Sequence, residues 1–578
     1  MKFTRTALSI ILFVVLLVVG GVWYLKTYLK QTHPVNAPPV TQKEVSPLDL
    51  RPAAIAKLQQ LVEAGSDSLY QLRIDSLLTD ITTGTLILKG VAIRPDSVVI
   101  QSMQAQKRLP DDVYHISLSS LRITGIGLSD ILHRRDLSLQ SIVCTHPQIT
   151  VYHRRQSYNA GKRATAKDQT LFSRLQGQID RLAIDSVSIT GGSLTDNSDG
   201  TTRTYQNVSV ALREILIDST TEQDPSRFLF AKRSLLQAGK ITLPAGKSRY
   251  DISIGGIAVS GEKQQLHIQN LTLKPQGGKA GFLRHQKHRI EVFDLAVPAL
   301  TLNGVDWWAA AHGESLLAQE AEITGVNGYI YFDRRLPKSG SVKKANFPQQ
   351  LLADLKMPLS IKRVRIKKSN LAYEEFAPES GSSGRITFNN INAVAQGFTN
   401  LPAEIASRPT ARFEATCRFM NATDLSVQME FALPSRKRGA FKVDLAVGRI
   451  TPAMVNSFAE PMGLVRITSG QAQYAKAHIE GNNSALQGTL AAAYTDLHIM
   501  PLKAADHPKE GLKSKRITGT LANMLFVKDN NPSRGNNLRQ PSFELNRSAD
   551  GSSFFNFVWS GIRLGLFKTI GLPARLTE

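Results

Sequence analysis

From about Tyr70 onward the apolar side chains recur at every second residue, and this period constrains the fold more than any other feature of the chain. Successive side chains of an extended strand point to opposite faces, so a period of two makes one oily face and one wet face. The clearest case is Leu425-Ser426-Val427-Gln428-Met429-Glu430-Phe431-Ala432-Leu433, followed by a turn from Pro434 to Gly439 and then Phe441-Lys442-Val443-Asp444-Leu445-Ala446-Val447. As a hairpin it places Leu425, Val427, Met429 and Phe431 on one face with Phe441, Val443 and Leu445. The same alternation returns in Ile252 and Ile254, in Leu266, Ile268, Leu271 and Leu273, and in Ile290, Val292, Leu295 and Val297. Turn pairs punctuate it: Gly191-Gly192, Asp199-Gly200, Gly255-Gly256, Asn303-Gly304, Asn327-Gly328 and Asp550-Gly551. The pattern predicts a mainly β fold, a long antiparallel meander with few short helices.

A loose repeat runs through it, an apolar strand, a Gly or polar step and a second apolar strand. It is visible at 84–93, at 118–128 (LSSLRITGIGL), at 187–194 (VSITGGSL) and at 364–373 (VRIKKSNLAY). The spacing drifts, so the repeat is one of physical type. Three helices interrupt the strands. One starts at Pro52, carries Ile55, Leu58, Leu61 and Val62 on a stripe and closes at Gly65. A second has Thr451 as its cap and Pro452 in its first turn. The last repeats Phe555, Val558, Trp559, Ile562, Leu566 and Ile570 at helical spacing, with Arg563 and Lys568 off the stripe. Such an amphipathic helix can lie on a membrane or plug the end of a sheet.

The N-terminus predicts an anchor. Lys2 and Arg5 precede an uncharged run at 7–25 (ALSIILFVVLLVVGGVWYL), about the ~20 residues that cross a ~30 Å hydrocarbon core. A cleaved signal peptide is shorter and ends in small residues, whereas this run ends in Val22-Trp23-Tyr24-Leu25, with aromatic rings suited to the headgroup level. The expected order is a cytoplasmic tail at 1–6, one transmembrane helix at 7–25 and a Pro-rich stalk at 26–49. A β-rich N-terminal region at 50–340 and a C-terminal β domain at 341–578 with the terminal amphipathic helix follow. The joint is expected at 335–350, where Pro337, Gly340 and Pro348 fall.

Seventy Lys and Arg against 47 Asp and Glu leave a formal charge of +23, which favours anionic phospholipid headgroups or nucleic acid. No nucleic-acid-binding motif accompanies the charge, and the anchor places the body in the wrong compartment, so nucleic acid is not an expected partner. In 362–368, period two puts Arg363, Arg365 and Lys367 on one face and Val364 with Ile366 on the other. That face is either solvated or touches phosphate headgroups, at about 1 kcal/mol per cation.

Signals for catalysis are weak. Gly246-Lys247-Ser248 lacks the glycine a phosphate loop needs five places earlier, and Arg249 to Ile254 has the pattern of a strand. His312-Gly313-Glu314 lacks a second histidine, no Gly-x-Ser-x-Gly is present, and His146 and His153 near Cys144 do not make a metal motif. The two cysteines, Cys144 and Cys417, belong to no CxxC, which excludes a zinc site and a dense disulfide framework. They are either small core residues, Cys417 sharing a face with Phe413, Ala415 and Phe419, or a pair bonded to each other. The expectation is no enzyme, no cofactor and no metal.

Several stretches carry a family resemblance: Ser68-Leu69-Tyr70 through Gly84 to Val91-Ala92-Ile93-Arg94-Pro95-Asp96, then Leu121-Arg122-Ile123-Thr124-Gly125-Ile126-Gly127-Leu128-Ser129-Asp130-Ile131-Leu132. Ser469-Gly470, Gly488, Tyr494-Thr495-Asp496-Leu497, Asn531-Pro532 and Phe555-Asn556-Phe557-Val558-Trp559-Ser560-Gly561 add to it. With the single N-terminal anchor, the chain resembles the AsmA-like envelope proteins in a Bacteroidetes-type form. The resemblance implies an elongated, curled β-sheet, a groove or β-taco-like repeat, with an apolar inside along which acyl chains slide while headgroups stay wet. It implies an inner-membrane protein with a periplasmic body. Its partners would be the inner membrane, phospholipid and outer-membrane or envelope proteins. No catalytic residue is implied. Leu425, Val427, Met429, Phe431, Phe441, Val443 and Leu445 become the candidate groove lining, and Arg363, Arg365 and Lys367 the candidate headgroup contacts. A scaffold for outer-membrane protein biogenesis that holds no lipid needs the same strands and stands as the alternative.

Overall fold

The computed structural model describes residues 51–571, less 81, 127–135, 160–179, 199–200, 222–223, 225–226, 228–229, 244–248, 313–314, 338–346, 434–438, 505–511, 515–526 and 548–552. The expected tail, transmembrane run and stalk at 1–49, and the Gly246-Lys247-Ser248 sequence, lie outside the described residues. Among the described residues no helix is long and apolar enough to cross a membrane. The fold is mainly β, with few short helices. The described chain divides into two compact units. The first runs to Gly246 and includes Ser253–Ile268 and Asn303–Glu314; the second holds Lys247–Ile252, Gln269–Leu302 and the residues from Ser315 on. The units therefore interleave between 247 and 315, ahead of the proline-marked joint expected at 335–350.

The first unit's described residues open with α1 (Arg51–Gly65), which has the expected Pro52 in its first turn and Gly65 at its end, and whose Leu58 is buried. Strands β1 (Tyr70–Asp80), β2 (Thr85–Pro95) and β3 (Asp112–Thr124) are antiparallel neighbours, with α2 (Ser97–Ala105) between the last two. The Asp96 carboxylate caps α2 by accepting from the amides of Val98 and Val99. Next come β4 (Asp136–Thr145), β5 (Gln148–His153), β6 (Arg181–Ser198), β7 (Thr201–Ile217), β8 (Ala231–Ala238) and β9 (Ile241–Leu243). The cross-strand rows Leu88–Leu121–Cys144 and Leu86–Ile123–Ile142 are buried throughout. In this part of the unit the alternating face makes a filled core.

Two of the unit boundaries fall inside β10 (Tyr250–Ile254) and β12 (Gln265–Pro275), with β11 (Gly256–Ser260) between them. Then come α3 (Gly278–Leu283), β13 (Glu291–Asn303), α4 (Trp307–His312), β14 (Leu316–Thr324), β15 (Asn327–Asp333) and α5 (Pro348–Ala353). The rest of the second unit is β16 (Leu359–Ala377), β17 (Ser382–Thr399), α6 (Pro402–Ser407), β18 (Thr410–Phe419), β19 (Thr423–Ala432), β20 (Phe441–Val447) and α7 (Pro452–Gly463). It closes with β21 (Val465–Gly481), β22 (Ala485–Ala504), β23 (Leu512–Ser514), β24 (Ser542–Asn546) and α8 (Phe554–Ile570).

One arrangement occurs in both units. The long strand β6 pairs in parallel with β4 as far as Thr190 and with β5 from Ser193 on; β16 pairs in parallel with β14 as far as Lys367 and with β15 from Asn370 on. At each changeover the backbone is left-handed at three aligned positions, one in the link between the two short strands and one in each of the two long strands: His146, Gly191 and Asn207 in the first unit, Gly325, Lys368 and Asn390 in the second. The hydrogen bonds there correspond. His146 N donates to Thr190 O and Ser193 N to Pro147 O, both at 2.8 Å; Gly325 N donates to Lys367 O at 2.9 Å and Asn370 N to Val326 O at 2.7 Å. The hairpins β6–β7 and β16–β17 both shift register at this level, a bulge that bends them. The repeats seen at 187–194 and 364–373 are these two changeovers. The antiparallel meander holds for most of the described pairings and is interrupted by parallel pairing of β4 and β5 with β6 and of β14 and β15 with β16, which the period did not reveal because alternation of faces is the same in parallel and antiparallel strands.

The changeover yields a stability prediction. Lys368 is exposed and sits at φ 48°, where an L residue costs about 1–2 kcal/mol. Lys368→Gly removes that strain and loses part of the gain to the freer unfolded chain, so a net stabilisation of about 0.5 kcal/mol is expected. Gly191 has the same backbone, but an added Cβ would lie 2.7 Å from His146 Cδ2. Gly191→Ala should therefore destabilise by about 1–3 kcal/mol. Urea midpoints of opposite sign for the two variants are the expected result, and equal shifts would contradict it.

Candidate functional site

Directly opposed residues on neighbouring strands share a face, and the registers of β16 to β22 align the apolar side chains in rows. One row is Ala411, Phe431, Phe441, Gly481 and Leu486; the next is Val364, Ala395, Phe413, Met429, Val443, Ile479 and Gly488. A third is Ile366, Ala393, Ala415, Val427, Leu445, Ala477 and Leu490, and a fourth Cys417, Leu425, Val447 and Ala475. All seven candidate lining residues lie on this one face.

They are not equally accessible. Phe431, Phe441 and Val443 are at most 3% exposed, and Leu425 is buried, whereas Val427, Met429 and Leu445 are only partly so. The cause is α8. Its Phe554 ring lies 5.5 Å from Phe431 and 5.0 Å from Phe441 between centroids, and Phe347, at the start of α5, stands 5.3 Å from Phe554. Further along, α8 seats flush on β22 and β24. A Cβ added to Gly565 would lie 2.8 Å from Phe543 Cε1 and 2.9 Å from Leu490 Cβ, so only glycine allows that approach. Of the two roles open to the terminal helix, the coordinates show it against the sheet, with Phe557, Val558 and Leu564 buried there. At the far end of the face Cys417, Leu425 and Val447 border a cavity of about 430 Å³ with Asn390, Asn392 and Arg418.

The basic strip is placed differently from a bare cationic face. Arg363, Arg365 and Lys367 do project together from β16, but the parallel partner β14 carries acids opposite them. Arg365 Nε is 3.3 Å from Glu320 Oε2, and Lys367 Nζ donates to Glu322 Oε2 at 2.7 Å. Arg363 is exposed with Glu320 in register beside it. Exposed pairs of this kind are worth about 0.2–1 kcal/mol, so a phosphate would have to displace a weak but real partner. Nothing local in the sequence announces the pairing, since Lys367 and Glu322 are 45 residues apart.

A polar cluster on the same inner face was not foreseen. Glu291 of β13 shares a register row with Phe332, which is opposed in turn by Glu375 of β16. Ser553, the N-cap of α8, donates its hydroxyl to Glu291 Oε1 at 2.7 Å, and Tyr373 donates to Glu375 Oε2 at 2.8 Å. Arg334 Nε lies 3.8 Å from Glu375 Oε1. Burial pushes both carboxyls above their ordinary value, opposed at Glu291 by the Ser553 hydroxyl and at Glu375 by Tyr373, Arg334, Arg563 and Arg289. Burial likewise pulls the Arg563 guanidinium down. A carboxyl raised in the folded state binds its proton more tightly there than in the unfolded chain. Its contribution is therefore fully present below the usual 4.5 and is lost as pH rises through the folded value. Amide exchange across α8 should slow as pH falls from neutral toward that range, after correction for intrinsic exchange rates, and Glu375→Gln should flatten the dependence. A steeper dependence in Glu375→Gln would be the contrary result.

Cys144 and Cys417 are free thiols rather than a bonded pair. Burial pushes them up to about 12 and about 11, with Asp424 adding to the second. His153 pairs with Asp112 at 2.6 Å, and among the described residues no three His, Cys, Asp or Glu side chains converge. No protein-family model and no curated protein matches the chain.

Proposed function

We propose that the chain is an AsmA-like envelope protein, held in the inner membrane by residues 7–25. Its β-rich body stands in the periplasm and handles lipid, phospholipid in the first place, for outer-membrane assembly or homeostasis. One observation carries the reading. Val364, Ile366, Phe413, Val427, Met429 and Leu445 form a continuous apolar surface over five neighbouring strands, yet all six are only partly buried. Five strands at about 4.8 Å spacing give about 20 Å of width, comparable to an extended acyl chain. Covering such a surface with hydrocarbon is worth about 0.8 kcal/mol per CH₂, with no covalent step required. The exposed margin of the basic strip at Lys362 and Arg363 adds a place for a phosphate to stay wet.

The test is the full chain, extracted in mild detergent, incubated with phosphatidylglycerol vesicles and examined by native mass spectrometry. A population carrying one or more phospholipids is expected. A chain that stays lipid-free at every vesicle concentration overturns the proposal. The second reading, a scaffold without lipid, is favoured by the filled face of β1 to β4, and it predicts that lipid-free result.

A further inference from the structure

Resting on the lipid reading, we propose that α8 is a displaceable stopper: it occupies a stretch of the second unit's apolar face that hydrocarbon would otherwise take, and it swings away from its N-terminal end. The helix packs with Phe431, Phe441, Leu486 and Leu490; Leu490 shares a row with the partly open Val427 and Leu445, and the row of Phe431, Phe441 and Leu486 lies next to that of the partly open Met429. Lifting it joins the covered and uncovered parts into one surface. What it offers the sheet is side-chain hydrocarbon, the same chemistry as an acyl chain, so one can replace the other at little change in buried apolar area.

Its polar attachments are uneven. Near the C-terminal end Tyr494 Oη donates to Thr569 O at 3.3 Å, Lys528 N to Ile570 O at 3.0 Å and Lys568 Nζ to Ser542 O at 3.0 Å. At the other end, where Phe554 packs against the sheet, the polar tie among the described residues is the cap contact of Ser553 on Glu291. That tie uses a desolvated carboxyl, and Arg563, one further polar group of the helix, is itself buried near Glu375. Seating charged groups under a helix weakens the seat compared with an all-apolar contact. The C-terminal bonds act as the hinge and the Ser553–Glu291 contact as the latch.

The test locks the latch. In the full chain with Cys144→Ala and Cys417→Ala, the pair Ser553→Cys and Glu291→Cys is bridged by a short bis-methanethiosulfonate reagent, which a reductant releases. Capture of pyrene-acyl phosphatidylglycerol from phosphatidylglycerol vesicles is the readout. Bridged protein should capture about tenfold less than the same protein after reduction, as expected for a site whose open state is removed. Equal capture before and after reduction overturns the stopper while leaving the lipid reading standing. No capture in either form, with native cysteines restored as well, overturns both. As a second variant Ser553→Ala removes the latch hydroxyl without a new group and should raise capture above that of the unaltered chain; unchanged or lower capture counts against the stopper.

Discussion

Val427→Asp and Leu445→Asp are expected to abolish lipid capture while the protein keeps its fold, whereas Val443→Asp, on the next row of the same face, unfolds the second unit. The difference is burial. Val427 and Leu445 oppose each other across β19 and β20 and remain partly open, so a carboxylate there can stay hydrated. Substitutions at such positions usually shift stability by little more than about 0.5–1 kcal/mol. Val443 is 1% exposed within the core cluster that holds Phe554 and Phe441, where an unpaired charge costs several kcal/mol. Paired measurements of vesicle capture and thermal unfolding separate the outcomes. Should Val427→Asp melt the protein as severely as Val443→Asp, the face is one sealed core and the scaffold reading gains. Should Val427→Asp and Leu445→Asp both fold and capture lipid normally, hydrocarbon does not run over this face.

Phe347→Ala should cost the second unit about 3–5 kcal/mol, the range for a large aromatic removed from a core. Phe347 is fully buried, its ring 5.7 Å from Phe441, 5.3 Å from Phe554 and 6.4 Å from Phe557, with the Arg547 guanidinium 4.3 Å from its centroid. Each aromatic neighbour adds about 0.5–1.5 kcal/mol to the burial term. Removing the ring also takes away the group that joins α5 to the N-terminal end of α8. Urea unfolding gives the size of the loss, and amide exchange at 554–558 should quicken more than at 566–570. Uniform quickening along α8 would show that the helix moves as a whole, contrary to a hinge at its C-terminal end.

How much of this was legible in the sequence follows from the range of each interaction. The hairpin at 423–447 was plain, because side-chain alternation and a polar turn are local properties. The first helix was found for the same reason, with Pro52 in its first turn and Gly65 at its end. For α7 the cap at Thr451 was found, but the helix runs on to Gly463 through Pro461, which sequence rules would have treated as a stop. The parallel clamps of β6 and β16 were hidden, although the Gly191-Gly192 and Lys367-Lys368 steps that mark them stood out as repeats. A left-handed lysine within a strand, or a left-handed histidine in the link between two strands, has no compositional signature.

The candidate site divides along the same line. That Leu425 to Leu445 share one oily face needed only the period, since peptide geometry turns every second side chain the same way. That Phe431, Phe441 and Val443 are fully covered while Val427, Met429 and Leu445 are only partly so depended on where a helix more than a hundred residues later comes to rest. The Glu322–Lys367 pair and the Ser553–Glu291 contact likewise join residues that only folding brings within reach. Local sequence therefore determined strands, turns and the chemistry of each face; tertiary structure decided which part of that face is closed, because closure depends on contacts between distant segments whose partners no local pattern specifies.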